Sequence, residues 1–148
     1  MSAQQPEQNI ANHSQIVPVY HYGLFSIVVT ILVMSFTQFF QAIKNNGNIS
    51  LSIILVLIGI AMIMGPFIYR GFALKAQDRA IRAEENLRHF VLTGKLLNSQ
   101  LKMPQIIALR FAPDNEFPQL AERAVNEDLN NKAIKQAIQN WKADYYRV

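Results

Sequence analysis

Two long segments without a charged side chain constrain this chain more than any other feature. Residues 22–43 contain no Asp, Glu, Lys or Arg, and residues 49–69 contain none either. As an α-helix each segment would extend about 30 Å, which is the thickness of the hydrocarbon core of a bilayer. A soluble protein of 148 residues could hardly bury two such segments. The sequence therefore predicts two membrane-spanning helices.

A short polar segment joins the two predicted spans. Lys44 puts a cation at the negatively polarised end of the first helix, and Gly47 suits the left-handed conformation that commonly closes a helix. The two spans are therefore expected to form a hairpin. A cleaved signal peptide is a weaker explanation of the first span, because the tail before it, residues 1–20, contains no Lys or Arg.

Basic residues are concentrated after the second span, and they set the predicted orientation. The turn between the spans carries only Lys44, whereas the first four cations after the second span are Arg70, Lys75, Arg79 and Arg82. Cytoplasmic flanks of membrane helices are enriched in Lys and Arg. We therefore expect both termini to lie in the cytoplasm. The same four cations are candidates for contact with anionic lipid headgroups.

The first span also carries polar side chains near one helical face: Ser26, Thr30, Thr37 and Gln41. One interpretation is a hydrophilic path across the membrane. The other is that the hydroxyl groups donate hydrogen bonds to carbonyls of their own helix. We favour the second interpretation, because ion and proton paths usually need ionisable groups and neither span contains one.

Residues 70–97 are rich in strong helix formers and predict a basic helix that continues from the second span. Glu84 and Arg88 lie four positions apart, which predicts an ion pair on its solvated side. Apolar residues recur at spacings of three and four, at Ala73, Ala76, Ala80, Ala83, Leu87 and Phe90. This narrow stripe predicts contact with a further helix, in this chain or another.

The remaining segment, residues 98–148, predicts three short amphipathic helices. Pro104 and Pro118 fit the first turns of two of them, and either Asn130 or Asn131 can cap the third. Its apolar faces are small, so docking to the preceding helix or to a partner is expected to stabilise it. The predicted fold class is therefore all-α, with a transmembrane hairpin at 21–69, a juxtamembrane helix and a small cytoplasmic helical bundle.

Aromatic side chains of this bundle are candidates for docking a partner protein: Phe111, Phe117, Trp141 and Tyr145. The alternative is that several of them pack in the core of the bundle. Nucleic acid is not an expected partner, because residues 103–148 contain six cations and six anions and so offer no basic footprint. We expect other membrane protein subunits, or a second copy of the chain, instead.

No constellation of residues in the sequence names a reaction. The chain has no cysteine, which excludes disulfides, thiol catalysis and cysteine-based metal sites. The segment ending in Gly94 and Lys95 resembles the end of a phosphate-binding loop, but His89 stands at its first glycine and Leu96 at its Ser/Thr position. We expect no cofactor, no bound metal and no enzymatic activity. A membrane-anchored enzyme or regulator with an unrecognised cytoplasmic site is the alternative.

Three segments carry a resemblance to a known family: RGFALKAQDRAIRAEENLRHF at 70–90, QIIALRFA at 105–112 and WKADY at 141–145. They resemble an uncharacterised family of small bacterial membrane proteins found among Bacteroidota-like lineages. The resemblance implies an inner-membrane location and supplies no activity, cofactor or site residue. The function we expect is that of an accessory or scaffold subunit in a larger inner-membrane complex.

Overall fold

The computed structural model describes residues 8–12 and 16–144, and within them the chain is all-helical, as predicted. It consists of two units. One is a helical hairpin, Ile16–Ala73; the other, called the helical domain below, combines the N-terminal tail with the chain from Leu74 onward. The elements are a π-helical turn at Val19–Leu24 and helices α1 Phe25–Lys44, α2 Ile49–Thr93, α3 Met103–Leu109, α4 Phe117–Asn126 and α5 Asn131–Ala137.

Within the part of the chain that the structure describes, two helical segments are long and apolar enough to cross a membrane. They are Val19–Lys44, which includes the π-helical turn, and Ile49–Thr93. In the most apolar stretch of 18 residues in each segment, only 11% of the residues are buried inside the protein. The core helix of a soluble protein would be mostly buried, so these exposed apolar surfaces are typical of helices that face lipid.

The turn between α1 and α2 differs from the prediction in which residue takes the left-handed conformation. Asn46 has φ of 52°, and Gly47 has no positive φ. Asparagine tolerates this conformation better than most residues. Gly47 is needed for a different reason: its N–H donates to the Ala42 carbonyl at 2.8 Å, and a Cβ there would lie 3.3 Å from the Ala42 Cα. Asn48 then caps α2 by accepting from the Leu51 N–H at 3.0 Å.

Packing within the hairpin depends on one small residue. A Cβ at Gly59 would lie 3.0 Å from the Leu32 Cδ1 and 3.3 Å from its Cα, so the two helices approach closely at this point.

The hydroxyls of the first span bond within their own helix, as we favoured. Thr30 donates to the Ser26 carbonyl at 2.8 Å, and Thr37 donates to the Met34 carbonyl at 2.8 Å.

In the helical domain, α2 ends at Thr93, four residues before the predicted end at residue 97. Gly94 takes φ of 73°, and its N–H donates to the Phe90 carbonyl at 2.8 Å. Such a left-handed glycine closes a helix because it satisfies an otherwise free carbonyl. The returning chain is then held against α2 by the Leu97 N–H, which donates to the Asn86 side chain at 2.9 Å.

Helices α3, α4 and α5 begin where local signals predict. Pro104 and Pro118 lie in the first turns of α3 and α4. Asn130 is the residue that caps α5, and its side chain accepts from the Ala133 N–H at 2.9 Å. These helices enclose the apolar core of the domain, whose largest fully buried side chains are Phe111, Phe117, Ile106, Leu109 and Ile134.

Candidate functional site

Arg88 is the centre of a charged network between α2 and the rest of the helical domain. Its guanidinium group donates to Glu85 at 3.0 Å, to Asp114 at 2.6 Å and to the Ala112 carbonyl at 2.7 Å. The same group lies over the Phe117 ring, 4.4 Å from its centre. Arginine suits this position because its planar fork offers several donors and also stacks on aromatic rings. Three parts of one domain, α2, the connection between α3 and α4, and α4 itself, therefore meet at a single side chain.

Glu85 is buried beneath this network with 7% of its surface exposed. Burial raises the pKa of the Glu85 carboxyl above its usual value, and the neighbouring Arg88 guanidinium offsets part of that rise. The ion pair is not the one predicted, because Arg88 bonds Glu85 and Asp114 rather than Glu84. Glu84 is exposed and makes none of these contacts.

A second ion pair joins the end of α3 to the segment after α5. The buried Arg110 side chain contacts the Asp144 carboxylate at 3.1 Å. Asp144 is also paired through its backbone with Gln8, because its N–H donates to the Gln8 side-chain oxygen at 2.8 Å and its carbonyl accepts from the Gln8 amide at 3.0 Å. The N-terminal tail thus takes part in the same domain as the segment after α5.

Glu116 determines where the chain leaves α5. Its carboxylate accepts hydrogen bonds from the Gln139 N–H at 3.0 Å, the Asn140 N–H at 3.1 Å and the Asn140 side chain at 2.9 Å. Slight desolvation opposes these bonds, but together they lower the pKa of the Glu116 carboxyl. Because these donors are held by Glu116, α5 ends at Ala137. Trp141 therefore lies beyond the last described helix.

A polar cavity of about 390 Å³ lies beside this network in the helical domain. Its charged lining residues are Glu84, Glu85, Arg110, Lys142 and Asp144. The two most deeply buried of them are already engaged, Glu85 with Arg88 and Arg110 with Asp144. Within the described residues, no three His, Asp or Glu side chains are placed to hold a metal ion.

The side of α2 opposite this network is exposed. Phe90 follows Ile81 by nine positions, which is about two and a half helical turns, so the two side chains point in opposite directions. Ile81 is buried in the domain core, whereas Leu87, Phe90 and Val91 are 64%, 50% and 75% exposed. Ala76, Ala80 and Ala83 of the predicted stripe are exposed too, whereas Ala73, which belongs to the hairpin, is half-buried. We call the surface formed by Ala76, Ala80, Ala83, Leu87 and Phe90 the open face of α2.

An apolar groove of about 460 Å³ lies in the hairpin between the π-helical turn and α2. The Tyr20 hydroxyl donates to the Pro66 carbonyl at 2.9 Å, and the Arg70 guanidinium lies 5.9 Å from the centre of the Tyr20 ring. Leu24 and Ile63 belong to its lining. Apolar walls with one cation at the edge can accept an acyl chain and its anionic head.

The aromatic docking candidates require a correction. Phe111 and Phe117 are 0% exposed and form the core of the helical domain, so neither can meet a partner. Trp141 is half-buried and packs on Phe111 with ring centres 5.0 Å apart. Tyr145 lies outside the described residues. Among the predicted cations, Lys75, Arg79 and Arg82 are exposed and Arg70 is half-buried.

Several buried polar residues were not singled out from the sequence. Gln105 is the clearest, because its amide donates to the Ala124 and Leu129 carbonyls at 3.2 and 2.9 Å while its oxygen accepts from the Lys102 N–H at 2.7 Å. Its position three residues after the N-cap of α3 is the local signal that identifies it. The pair of Glu85 and Arg88 also has a local signal, because the two residues lie three positions apart on one helix, whereas the pair of Arg88 and Asp114 has none.

Comparison with known proteins adds a family and no activity. The whole chain, residues 1–148, matches the model of a family whose function is unknown. No curated protein is detectably similar to the chain, and no solved structure is either.

Proposed function

The chain belongs to the family of unknown function DUF6526, and we propose that it is a non-enzymatic accessory or scaffold subunit of a larger bacterial inner-membrane complex. The open face of α2 is the observation that carries this proposal. It presents large apolar side chains to solvent, and no described part of the chain covers them. Exposed apolar surface of this kind typically marks an interaction site.

The proposed location follows from the hairpin. Two mostly unburied apolar helices support insertion as two membrane spans. Arg70 and Lys75, the cations nearest the end of the second apolar run, contact anionic headgroups in this proposal. The groove beside Arg70 supports the same assignment, because it offers an apolar wall next to the charge. The bacterial, Bacteroidota-like origin rests on the sequence resemblance.

Both termini are proposed to be cytoplasmic. The excess of cations after the second span supports this orientation for the helical domain. The pairing of Gln8 with Asp144 supports a shared side for the two tails, since residues that bond to one another must lie on the same side of a bilayer.

Single cysteines can test this topology without background, because the chain contains none. We expect a membrane-impermeant maleimide to label Asn45→Cys in intact spheroplasts. Ala11→Cys and Ser99→Cys replace exposed residues that come before and after the hairpin in the sequence. Both cysteines should react only after permeabilisation. Labelling of Ser99→Cys in intact spheroplasts would contradict the proposed orientation.

Purification of the tagged full-length protein from its native membrane tests the role as a subunit. In mild detergent we expect at least one other protein to co-purify in a defined ratio, seen by native mass measurement and protein mass spectrometry. Replacing Leu87 and Phe90 with serine should reduce that recovery by about tenfold, because the truncations remove apolar contact area from the face on which assembly depends. The matched control, Leu96→Ser, changes an apolar residue that is as exposed as Leu87 but lies after the end of α2, outside the open face. A stable monomer recovered alone would contradict the proposal.

A membrane-anchored enzyme or regulator is the second candidate function. The polar cavity of about 390 Å³ favours it, because its lining provides carboxylates and cations in one place. Its innermost charges are already paired, Glu85 with Arg88 and Arg110 with Asp144, which is the reason we place it second. A small molecule that co-purifies, and is lost from the Lys142→Ala variant, would move this candidate ahead of the scaffold role.

A further inference from the structure

The open face of α2 carries two charged residues on its flanks, and these identify what covers it. We infer that a second copy of this chain packs there in a parallel two-helix contact, with Arg79 of each copy paired to Glu84 of the partner subunit. This inference deepens the proposed function and rests on it for the location of the docking face. The steps are the register of the face, the position of its charges and the direction of the helices.

The open face has the register of a two-stranded coiled coil. Its five members alternate spacings of four and three from Ala76 to Phe90, which places them at the a and d positions of successive heptads. The alanines let two backbones approach closely, and Leu87 and Phe90 supply most of the apolar area. The opposite side of the helix is covered by its own domain through Ile81 and Glu85. One face therefore serves the fold, and the other is available to a partner.

Arg79 and Glu84 flank this face at complementary positions. Arg79 precedes an a position and Glu84 follows a d position, so they are the g and e residues of adjoining heptads. In a parallel pair of helices, a g residue faces the e residue of the next heptad on the partner. Because a two-fold axis relates the two copies, the pair between Arg79 and Glu84 of the partner subunit occurs twice. Both side chains are exposed, and neither joins a salt bridge within residues 8–12 and 16–144.

The charges of Arg79 and Glu84 also distinguish a parallel pair of helices from an antiparallel one. In an antiparallel pair, g residues face g residues and e residues face e residues, so Arg79 would meet a cation and Glu84 an anion. Like charges placed opposite one another are destabilising. The parallel direction also follows from α2 itself, which is one helix from Ile49 to Thr93 and contains a candidate span. Two copies inserted with the same orientation send this helix out of the bilayer in the same direction.

An anionic membrane surface fits the open face less well than a second copy does. Glu84 on its flank would be repelled by anionic headgroups. The proposed pairing instead uses the charges of both flanks. Arg79, a candidate for headgroup contact from sequence, is thereby assigned to the partner subunit.

The test uses disulfide cross-linking of the full-length chain in native membranes. Ala83→Cys places a thiol at a d position, and with no other cysteine present every cross-link must arise there. We expect mild oxidation to give a dimer. The matched control, Lys75→Cys, puts a thiol on an exposed side of the same helix away from the open face and should stay monomeric.

Charge reversal then tests the pairing itself. In the Ala83→Cys background, Arg79→Glu alone or Glu84→Arg alone should lower the cross-linking yield about fivefold, because both symmetric pairs become repulsive. The double variant Arg79→Glu/Glu84→Arg should restore the yield. If either substitution acted only by disturbing the structure of the chain, the double variant would not recover the cross-linking yield. No dimer above the Lys75→Cys control, or no recovery in the double variant, would overturn the inference.

The outcomes for the two proposals are separable. If another protein co-purifies in a defined ratio while Ala83→Cys stays monomeric, the scaffold role stands and the parallel pair is overturned. If the dimer forms with charge-dependent yield and nothing else co-purifies, the parallel pair is supported and the larger complex is not.

Discussion

Replacing Arg88 with methionine is expected to lower the free energy of unfolding of the helical domain by about 3–5 kcal/mol. The substitution keeps much of the side-chain volume over Phe117 but removes the cation that pairs with buried Glu85. An uncompensated carboxylate in that position is costly, because burial already raises its pKa. A loss of this size is comparable with the whole stability of many small domains.

Trp141 provides the measurement for this variant. It is the only tryptophan in the chain and packs on Phe111 inside the helical domain, so its emission during denaturation reports on that unit. The control is the double variant Arg88→Met/Glu85→Gln, which removes both charges and should lose less stability than Arg88→Met alone. Equal losses in the two variants would show that Arg88 acts through packing rather than charge.

The loss of stability caused by Arg88→Met is also expected to depend on pH. Without the cation, the folded-state pKa of Glu85 is raised further above its unfolded value. A carboxyl with a raised folded-state pKa stabilises the fold below its unfolded pKa and loses that contribution as pH rises through the folded value. The loss caused by Arg88→Met should therefore be smaller near pH 5 than near pH 8. The same loss at both values would exclude Glu85 as its cause.

The second large effect is expected for Phe117→Ala, at about 3–5 kcal/mol in the stability of the helical domain. Phe117 is fully buried, and its ring lies under the Arg88 guanidinium and at 5.8 Å from the His89 ring. Truncation leaves a cavity among core residues and removes the surface on which Arg88 stacks. Denaturation followed by Trp141 emission measures the loss.

Phe90→Ala is the matched control for Phe117→Ala. Phe90 is half exposed and lies on the open face of α2, so its truncation should change domain stability by less than about 0.5 kcal/mol. It should nevertheless reduce cross-linking of the Ala83→Cys variant. Comparable destabilisation by both substitutions would show that Phe90 also supports the fold of a single chain.

Much of the fold could be predicted because its signals are local. An apolar run without charge is visible along the chain itself, so both candidate spans were found. Pro104, Pro118 and Asn130 mark helix starts through their own backbone and side-chain chemistry, which depends little on distant residues. The end of α2 was missed by four residues, although Gly94 is itself a local signal for a helix end.

The candidate site was predicted less well because it depends on distant pairings. Arg88 meets Asp114, 26 positions away, and no spacing rule on a helix selects that partner over Glu84. The predicted role of Phe111 and Phe117 in docking was wrong for a related reason. The sequence around an aromatic residue near a short helix is the same whether that residue faces solvent or the core. In the turn, Gly47 lies against the Ala42 backbone instead of taking the left-handed conformation, and this contact depends on how the chain folds back on the end of α1.

The bonds between Gln8 and Asp144 have a consequence for how such a chain matures in a membrane. The two residues are 136 positions apart, and both apolar helices lie between them. In a bilayer they can meet only after the first helix has inserted and the second has brought the chain back to the starting side. A chain that inserted one helix and failed to insert the other would leave both partners unsatisfied and its domain incomplete. In the proposed topology, completion of this contact therefore marks correct insertion, and a stalled intermediate would be recognisable to cellular quality control by its open domain.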